Sequence, residues 1–577
     1  MRILGIECTN YRNLDGLRLR FSEDLNYLVG ENNVGKSNVL NLLDTLFNRA
    51  SFSREDFRDT SVPIEVTLRI GIDEFESGVF GMLIDPDTGN TMTIEARCAE
   101  PNEATEFTHS YTGDTISQSS IRAVNFLKYA TVSFDNRTLA FDSNKGVGRL
   151  LGSSVTRYRE ANGKEVSDFF NQAEMTPLLE ALDTVIGYVP LLSSFGIRAN
   201  VDTVGSDALE SAISLTDENS VRLQSAGSGL QYVSLAILSI LQGLTGLSKR
   251  RLESSTFTVD GKKILRGVIA FDEPEIHLHP YMQRRLVRAL ARIASSSDEG
   301  FNKLLHDLIG VDTFEGQLIL VTHSPEILER GSYSNIIRLG YKNDTLACAN
   351  GTEISLDEKE QKQLEAQFTK VREAFFARAA IIVEGQTDEV ALPEFAEKLG
   401  ICPDEKGILI IRAESKESVP GVRGLLQSFH VPCVSIVDRD DTDATSEGCK
   451  LVTRRRDFED EWIDALFASN NQHVFIDLLE EVDDRGRNSY IQKRSLKKAF
   501  KKLGFDPGLL PEEDTLRFSI SEFDGVVADT PLVRAMMYSW LSARKGMMMP
   551  KRLGELTPKE SVPERYAELL RKAMELL

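Results

Sequence analysis

The stretch LNYLVGENNVGKSNVLNLLDTLF, residues 25–47, decides the architecture of the first half of this chain. A short apolar run ends in a glycine-bounded loop, and apolar residues then recur at helical spacing, so a strand, a loop and a helix follow one another. The loop GENNVGKS, Gly30 to Ser37, fits the pattern GxxxxGK[ST]. Its glycines let backbone N–H groups turn inward around phosphate oxygens, at a helix N-terminus that already favours anions. The expected nucleotide contacts are Gly30, Asn32, Asn33, Gly35, Lys36, Ser37 and Asn38. Lys36 reaches the β- and γ-phosphates and Ser37 takes Mg²⁺.

A phosphate loop needs a second element to hold the metal and direct water. GVIAFDEPEIHLHP (267–280) supplies an apolar strand ending in Asp272, for Mg²⁺, and Glu273, for the attacking water. LILVTHSPEIL (318–328) is another apolar strand, ending at His323, where a histidine senses the γ-phosphate. The pair His277/His279 reads as a turn beside this site, since no third metal ligand accompanies it.

These motifs, in this order, resemble the ABC-type ATPase heads of the RecF, SMC and Rad50 group. The opening GIECTNYRNLDGLRLRF is similar to the first hairpin of those heads. The resemblance implies a signature loop that completes a partner subunit's site. QSAGSGLQ (224–231) stands where that loop belongs, with Ser225, Gly227 and Ser228 for the γ-phosphate. It departs from LSGGQ at Gln224 and Ala226, which puts the hydrolysis rate in doubt. The long coiled coil of the group is absent, and 121–215 reads either as an inserted dimerisation element or as a partly buried helical subdomain.

Composition sets the outer bounds. With 577 residues the chain exceeds one core. Hydrophobic residues make up 41% and charged ones 27%, as in an ordinary globular protein. The opening MRILGIECTNYRN turns polar too early for a secretory signal, and Leu230 to Leu244 is short and interrupted for a bilayer span. Six scattered cysteines without a CxxC pair suit a reducing cytoplasm and argue against a zinc module. A net charge of −21 disfavours indiscriminate nucleic-acid binding but leaves room for local basic patches.

The second half follows a charged helical connector, LDEKEQKQLEAQFTKVREAFFA (356–377). RAAIIVEGQTDEVALPEFAEKLG (378–400) then gives strand, acidic turn and helix. GILIIRAE is a second strand, VPGVRGLLQSFH a second helix and CVSIVDRDD a third strand. This β-α-β-α-β alternation calls for a parallel sheet with right-handed crossovers, whose functional residues gather at the carboxyl ends of its strands. Glu384 ends the first strand and Asp438 and Asp440 the third, while Asp388 shares a face with Glu384 if a helix starts near Gln386. Carboxylates that converge need a divalent cation to stay ionised.

The pair VEG…DRD resembles the Toprim domain of topoisomerases, primases and some nucleases. DFE after LVTRRR looks like that pattern's second carboxylate set, Asp457 and Glu459, with Glu522 and Asp524 of FSISEFDG as the competing set. An ATPase head joined to a Toprim domain is similar to the OLD (overcoming-lysogenisation-defect) family of ATP-dependent endonucleases, which includes the nuclease subunit of the Gabija anti-phage system. That resemblance implies ATP and Mg²⁺ or Mn²⁺ as cofactors and a homodimer or larger assembly. It also implies a helicase or other defence partner, and metal-dependent cleavage of DNA in phage defence or repair. It further implies a C-terminal lysine near the metals, Lys545 or else Lys551. The alternative is an ATP-dependent DNA clamp whose Toprim domain binds without cutting; a topoisomerase or primase comes third.

The expected class is α/β, with an ABC/RecF–SMC-like ATPase followed by a Toprim domain. Its lobes are expected at 1–120 and 216–350 around the insertion at 121–215, with a linker over 351–377 and Toprim with C-terminal helices over 378–577. DNA would be held by Arg454–Arg456, by QKRSLKKAFKK (492–502) and by the stretch from Arg544 to Arg552. DNA affinity measured by fluorescence anisotropy is therefore expected to fall steeply, by a factor of roughly 10³ between about 50 and 200 mM salt. Flat affinity over that range removes the backbone-contact reading.

Overall fold

Leu25–Gly30 is a strand buried over nearly its whole length, and the sheet around it sets the phosphate loop in place. The computed structural model describes every residue except 50, 77–82, 131–145, 166–167, 170–171, 202–212, 329–332, 343–344, 356–361, 363–367, 370, 441–444, 483–487, 511, 513–514, 520–527, 545 and 547. The chain divides into two units, Met1–Ile354 and Ser355–Leu577.

In the first unit a seven-stranded sheet has a parallel core in the order Phe126–Ala130, Lys262–Asp272, Thr313–Val321, Leu25–Gly30 and Ile336–Lys342. Thr256–Val259 and Thr345–Asn350 add antiparallel partners. Because the core strands are parallel, Gly30, Asp272 and Thr322 leave the sheet on the same side. Only glycine fits position 30. Its φ is +135°, and a Cβ there would lie 2.0 Å from the Leu339 carbonyl oxygen. The strand Phe126–Ala130 comes from within 121–215, so that stretch contributes to the main sheet as well as carrying the helices Gly146–Asn162 and Gln172–Gly187.

The predicted opening hairpin is present: Arg2–Thr9 pairs antiparallel with Leu17–Arg20 and extends into a five-stranded antiparallel sheet. Alternation along Ile64–Gly71 turns Ile64, Val66, Leu68 and Ile70 inward, onto one core shared with Leu28, Val39 and Ile319. The helix Ser228–Thr245 has 18 residues and is long and apolar enough to cross a membrane by length and composition alone. Within the unit, Gln231–Leu241 is buried throughout, which makes it a core helix of the fold.

The second unit holds the expected parallel sheet, in the order Ile408–Arg412, Ala379–Val383, Cys433–Val437 and Lys450–Val452. Every residue of the two inner strands is buried, as helices on both faces require. The helices Pro531–Ser542 and Glu564–Glu575 bring Trp540, Tyr538 and Tyr566 into the same core as Ile381 and Val383.

Gly30→Ala is expected to destabilise the first unit by roughly 2–4 kcal/mol, through backbone strain and the clash with Leu339. Chemical denaturation measures this, and wild-type stability with intact nucleotide binding contradicts the account.

Candidate active sites

Three strand ends meet at a cavity of about 720 Å³, ample for a nucleotide. It is lined by Asn32, Asn33, Gly35, Lys36, Ser37, Asn38, Glu273, Glu275, Ile276 and His323. Gly35, at φ +103°, caps the helix Lys36–Asn48 and turns its free N–H groups toward the loop. Lys36 Nζ donates to the carbonyls of Gly30 (2.8 Å) and Glu31 (2.6 Å). Burial pulls its pKa down to about 8, against the opposing pull of Glu273 and Asp272.

Ser37 Oγ donates to Asp272 Oδ1 at 3.0 Å, so the two expected Mg²⁺ ligands already touch. This hard-oxygen pair fits that ion. Burial raises the Asp272 pKa. Glu273 sits at φ +55°, in the left-handed region, and its Oε1 lies 3.3 Å from His323 Nε2. Burial lowers the His323 pKa, which favours the neutral imidazole.

Two groups here escaped sequence reasoning. Glu275 Oε1 accepts the Thr322 hydroxyl (3.0 Å) and the His323 backbone N–H (2.5 Å), tying the Asp272 turn to the histidine strand. It stands in the quoted DEPE motif, so its position was visible. Arg12, in the opening hairpin, donates to Asn38 Oδ1 (2.7 Å) and to Asp56 (2.8 Å), which fastens the hairpin to the phosphate-loop helix. Ser225 ends the short turn Leu223–Ser225, Gly227 caps the helix Ser228–Thr245 and Ser228 begins it; none of the three is among the residues lining the cavity. A Cβ at Gly229 would approach the His277 carbonyl to 3.3 Å, so the His277/His279 turn packs against that helix start.

In the second unit, five of the expected carboxylates gather at the strand ends. The Asp438 backbone N–H donates to Glu384 Oε2 at 3.0 Å, joining two adjacent strands. The helix does start at Gln386. In its first turn, Asp388 accepts the Tyr566 hydroxyl on Oδ1 (2.5 Å) and the Gly385 N–H on Oδ2 (3.3 Å). Asp457 caps the helix Phe458–Ala468, with Oδ1 accepting the Asp460 N–H (3.2 Å) and Oδ2 the Tyr538 hydroxyl. Glu459, only 1% exposed, completes the group.

Asp438 is the focus of the cluster. Burial, then the charges of Asp388, Asp457, Glu384 and Glu459, push its pKa far above the carboxylate range. Burial, with Glu459 adding, raises Asp388 to about 6 against the Tyr566 hydrogen bond. The donor set is oxygen throughout and suits a hard divalent cation. Among the described residues, however, no three His, Cys, Asp or Glu side chains already stand in a ligating arrangement.

Asp440 is not drawn inward. Its side chain is 44% exposed, its φ is +51°, and its carboxylate lies 3.5 Å from Lys416 Nζ. Lys416, another residue missed from sequence, also donates to the Asp438 carbonyl at 2.6 Å. Lys545 and the competing pair Glu522/Asp524 lie outside the described residues. Lys551 pairs with Glu555 at 3.8 Å. The helix Lys493–Leu503 carries six cations and no acid, buries Leu496, Ala499 and Phe500, and comes close to the cluster. Lys502 Nζ is 3.4 Å from the Tyr538 hydroxyl, and Arg456 Nη1 donates to the Lys502 carbonyl at 3.0 Å.

Residues 375–440 match the family model "Overcoming lysogenization defect protein-like, TOPRIM domain". Residues 1–127 match an AAA ATPase domain, and 120–329 the AAA domain described for the AbiEii toxin of a Type IV TA system. The chain is similar to the OLD nuclease of Thermus scotoductus, 24% identical over 475 residues, covering 75% of this chain and 81% of that protein. Similarity to endonuclease GajA of Bacillus cereus reaches 27% over 195 residues, covering 30% and 26%. Among solved structures, an SMC head bound to the C-terminal winged-helix domain of ScpA aligns at a TM-score of 0.36 and 14% identity, over 62% of this chain and 99% of that one.

The raised carboxylates fix the sign of a pH dependence. Asp388 and Asp438 titrate higher in the folded unit than in the unfolded chain, so between those values the folded form holds more protons. The stability they contribute is present in acid and is lost as pH rises through their folded values. In EDTA the melting temperature of the second unit is therefore expected to fall from about pH 5 to about pH 8. Asp438→Asn should flatten that slope in differential scanning calorimetry, and a slope unchanged by the substitution argues against the cluster as its source.

Proposed function

We propose that the chain is a member of the overcoming-lysogenisation-defect (OLD) family, an ATPase unit continued into a Toprim domain, and that it is a divalent-metal-dependent DNA endonuclease controlled by ATP and acting in anti-phage defence or DNA repair. The observation that carries the reading is the convergence of Glu384, Asp388, Asp438, Asp457 and Glu459 at the carboxyl ends of the Toprim strands. Hydrogen bonds offset part of the repulsion among these carboxylates, and a cation among them lets all of them stay ionised. These five would hold Mg²⁺ or Mn²⁺, which would there supply activation of water and stabilisation of the leaving oxygen of a phosphodiester.

The chain's own residues supply the rest. Asp440 and Lys416 stand at the exposed edge of the cluster, where Lys416 is a candidate cation for the scissile phosphate; Lys545 is a second candidate on the family resemblance alone. Helix Lys493–Leu503 and Arg456 offer a track for the DNA backbone, which carries no sequence information. In the ATPase unit, Ser37 and Asp272 would hold Mg²⁺, Lys36 the phosphates, and Glu273 the attacking water, with His323 beside it. Because Ser225, Gly227 and Ser228 are exposed on their own chain, they support completion of the nucleotide site by a second copy, in a homodimer or larger assembly. A helicase or other defence-system protein is the proposed partner beyond DNA.

The alternative reading is an ATP-dependent DNA clamp whose Toprim domain binds without cutting. Supercoiled plasmid with Mg²⁺ or Mn²⁺, with and without ATP, decides between the two. Asp438→Ala is expected to lower nicking at least about 100-fold with ATP turnover near wild type, and Lys36→Ala to lose turnover. The ATP lanes read the sign of regulation. Intact plasmid in every lane together with ATP-dependent DNA retention establishes the clamp.

A further inference from the structure

We propose that Tyr538 and Tyr566 are positioning residues for the metal centre of the Toprim unit, each fixing the carboxylate plane of one aspartate ligand. The inference rests on the metal-dependent reading above. The two tyrosines come from the helices Pro531–Ser542 and Glu564–Glu575, 81 residues beyond Asp457 and 178 beyond Asp388 respectively. In each pair the aspartate is gripped at both oxygens, by a backbone N–H of its own helix start on one and by a phenol on the other. An ionised carboxylate oxygen has two lone pairs, so one donor on each oxygen fixes the plane and leaves a lone pair apiece for a cation.

The phenols are themselves held. The Tyr566 ring meets Phe395 and Phe458 edge-on, with centroids 6.2 and 5.2 Å away. Phe395 belongs to the helix that carries Asp388, and Phe458 follows Asp457 directly, so one ring is wedged between both ligand-bearing helices. Tyr538 has Lys502 Nζ 5.6 Å from its ring centroid and 3.4 Å from its hydroxyl. A phenol is a neutral hydrogen-bond donor at neutral pH. A tyrosine needed only for packing would keep its place as phenylalanine, whereas a positioning tyrosine acts through the one atom that phenylalanine lacks.

The test is Mn²⁺ binding to the full-length protein without nucleotide, read from the electron paramagnetic resonance signal of the free ion. Wild type, Tyr538→Phe, Tyr566→Phe and Asp438→Ala are compared, with melting temperatures in EDTA taken alongside. Each Phe variant is expected to bind Mn²⁺ about 10- to 100-fold more weakly than wild type. Wild-type affinity in both, whatever happens to the melting temperature, overturns the proposal. If one variant does not fold, the other decides. Equal binding by wild type and Asp438→Ala is a different failure, since it removes the metal reading itself and not the tyrosines' part in it.

Discussion

Mutual repulsion among Glu384, Asp388, Asp438, Asp457 and Glu459 is the cost around which the second unit is organised. Inside a fold, where the dielectric is low, such a group opposes its own assembly, and every element that brings an acid in must also bring something to hold it. Gly385 and Asp460 present backbone N–H groups, Asp438 presents its own N–H to Glu384, and two tyrosines arrive from far along the chain. Hydrogen bonds to ionised groups contribute about 1.5–3 kcal/mol each, so these donors offset a substantial part of the repulsion. The arrangement also explains why the C-terminal helices are core elements: they complete the polar interior as well as the apolar one.

The ATPase unit meets its constraint differently. There the charges alternate in sign, Lys36 against Asp272 and Glu273, and the backbone takes the strain in the left-handed conformations of Gly30, Gly35 and Glu273. Both units nevertheless use the same device. A parallel sheet delivers several chain segments to one end, and residues distant in sequence meet there with no loop reaching across the core.

What was legible in the sequence is what local chemistry encodes. The phosphate loop, the Asp272–Glu273 turn and the end of the Glu384 strand each announce themselves within a dozen residues, through glycine, an apolar run and an abrupt charge. Asp440 shows where that logic stops. The DxD spacing puts both acids on one side only while the chain stays extended, and the backbone turns at Asp440, whose φ of +51° carries it to the rim beside Lys416. Phe126–Ala130 was absorbed into the insertion because a central strand without a motif leaves no mark beyond five residues, FLKYA. Tyr538 and Tyr566 were invisible for a plainer reason. Their partners lie 81 and 178 residues back, and no periodicity spans that gap.

That separation gives the Toprim unit an order of assembly. Asp388 emerges from the ribosome early in the unit, but the hydroxyl that grips it belongs to a helix made 178 residues later. At about 5–20 residues per second this interval lasts on the order of ten seconds or more. Throughout it the complete ATPase unit precedes a carboxylate cluster that still lacks part of its scaffold. A nascent chain, or one cut before Glu564–Glu575, carries the acids without the grip on Asp388, so the geometry of the cluster waits on a helix made long after the acid it holds.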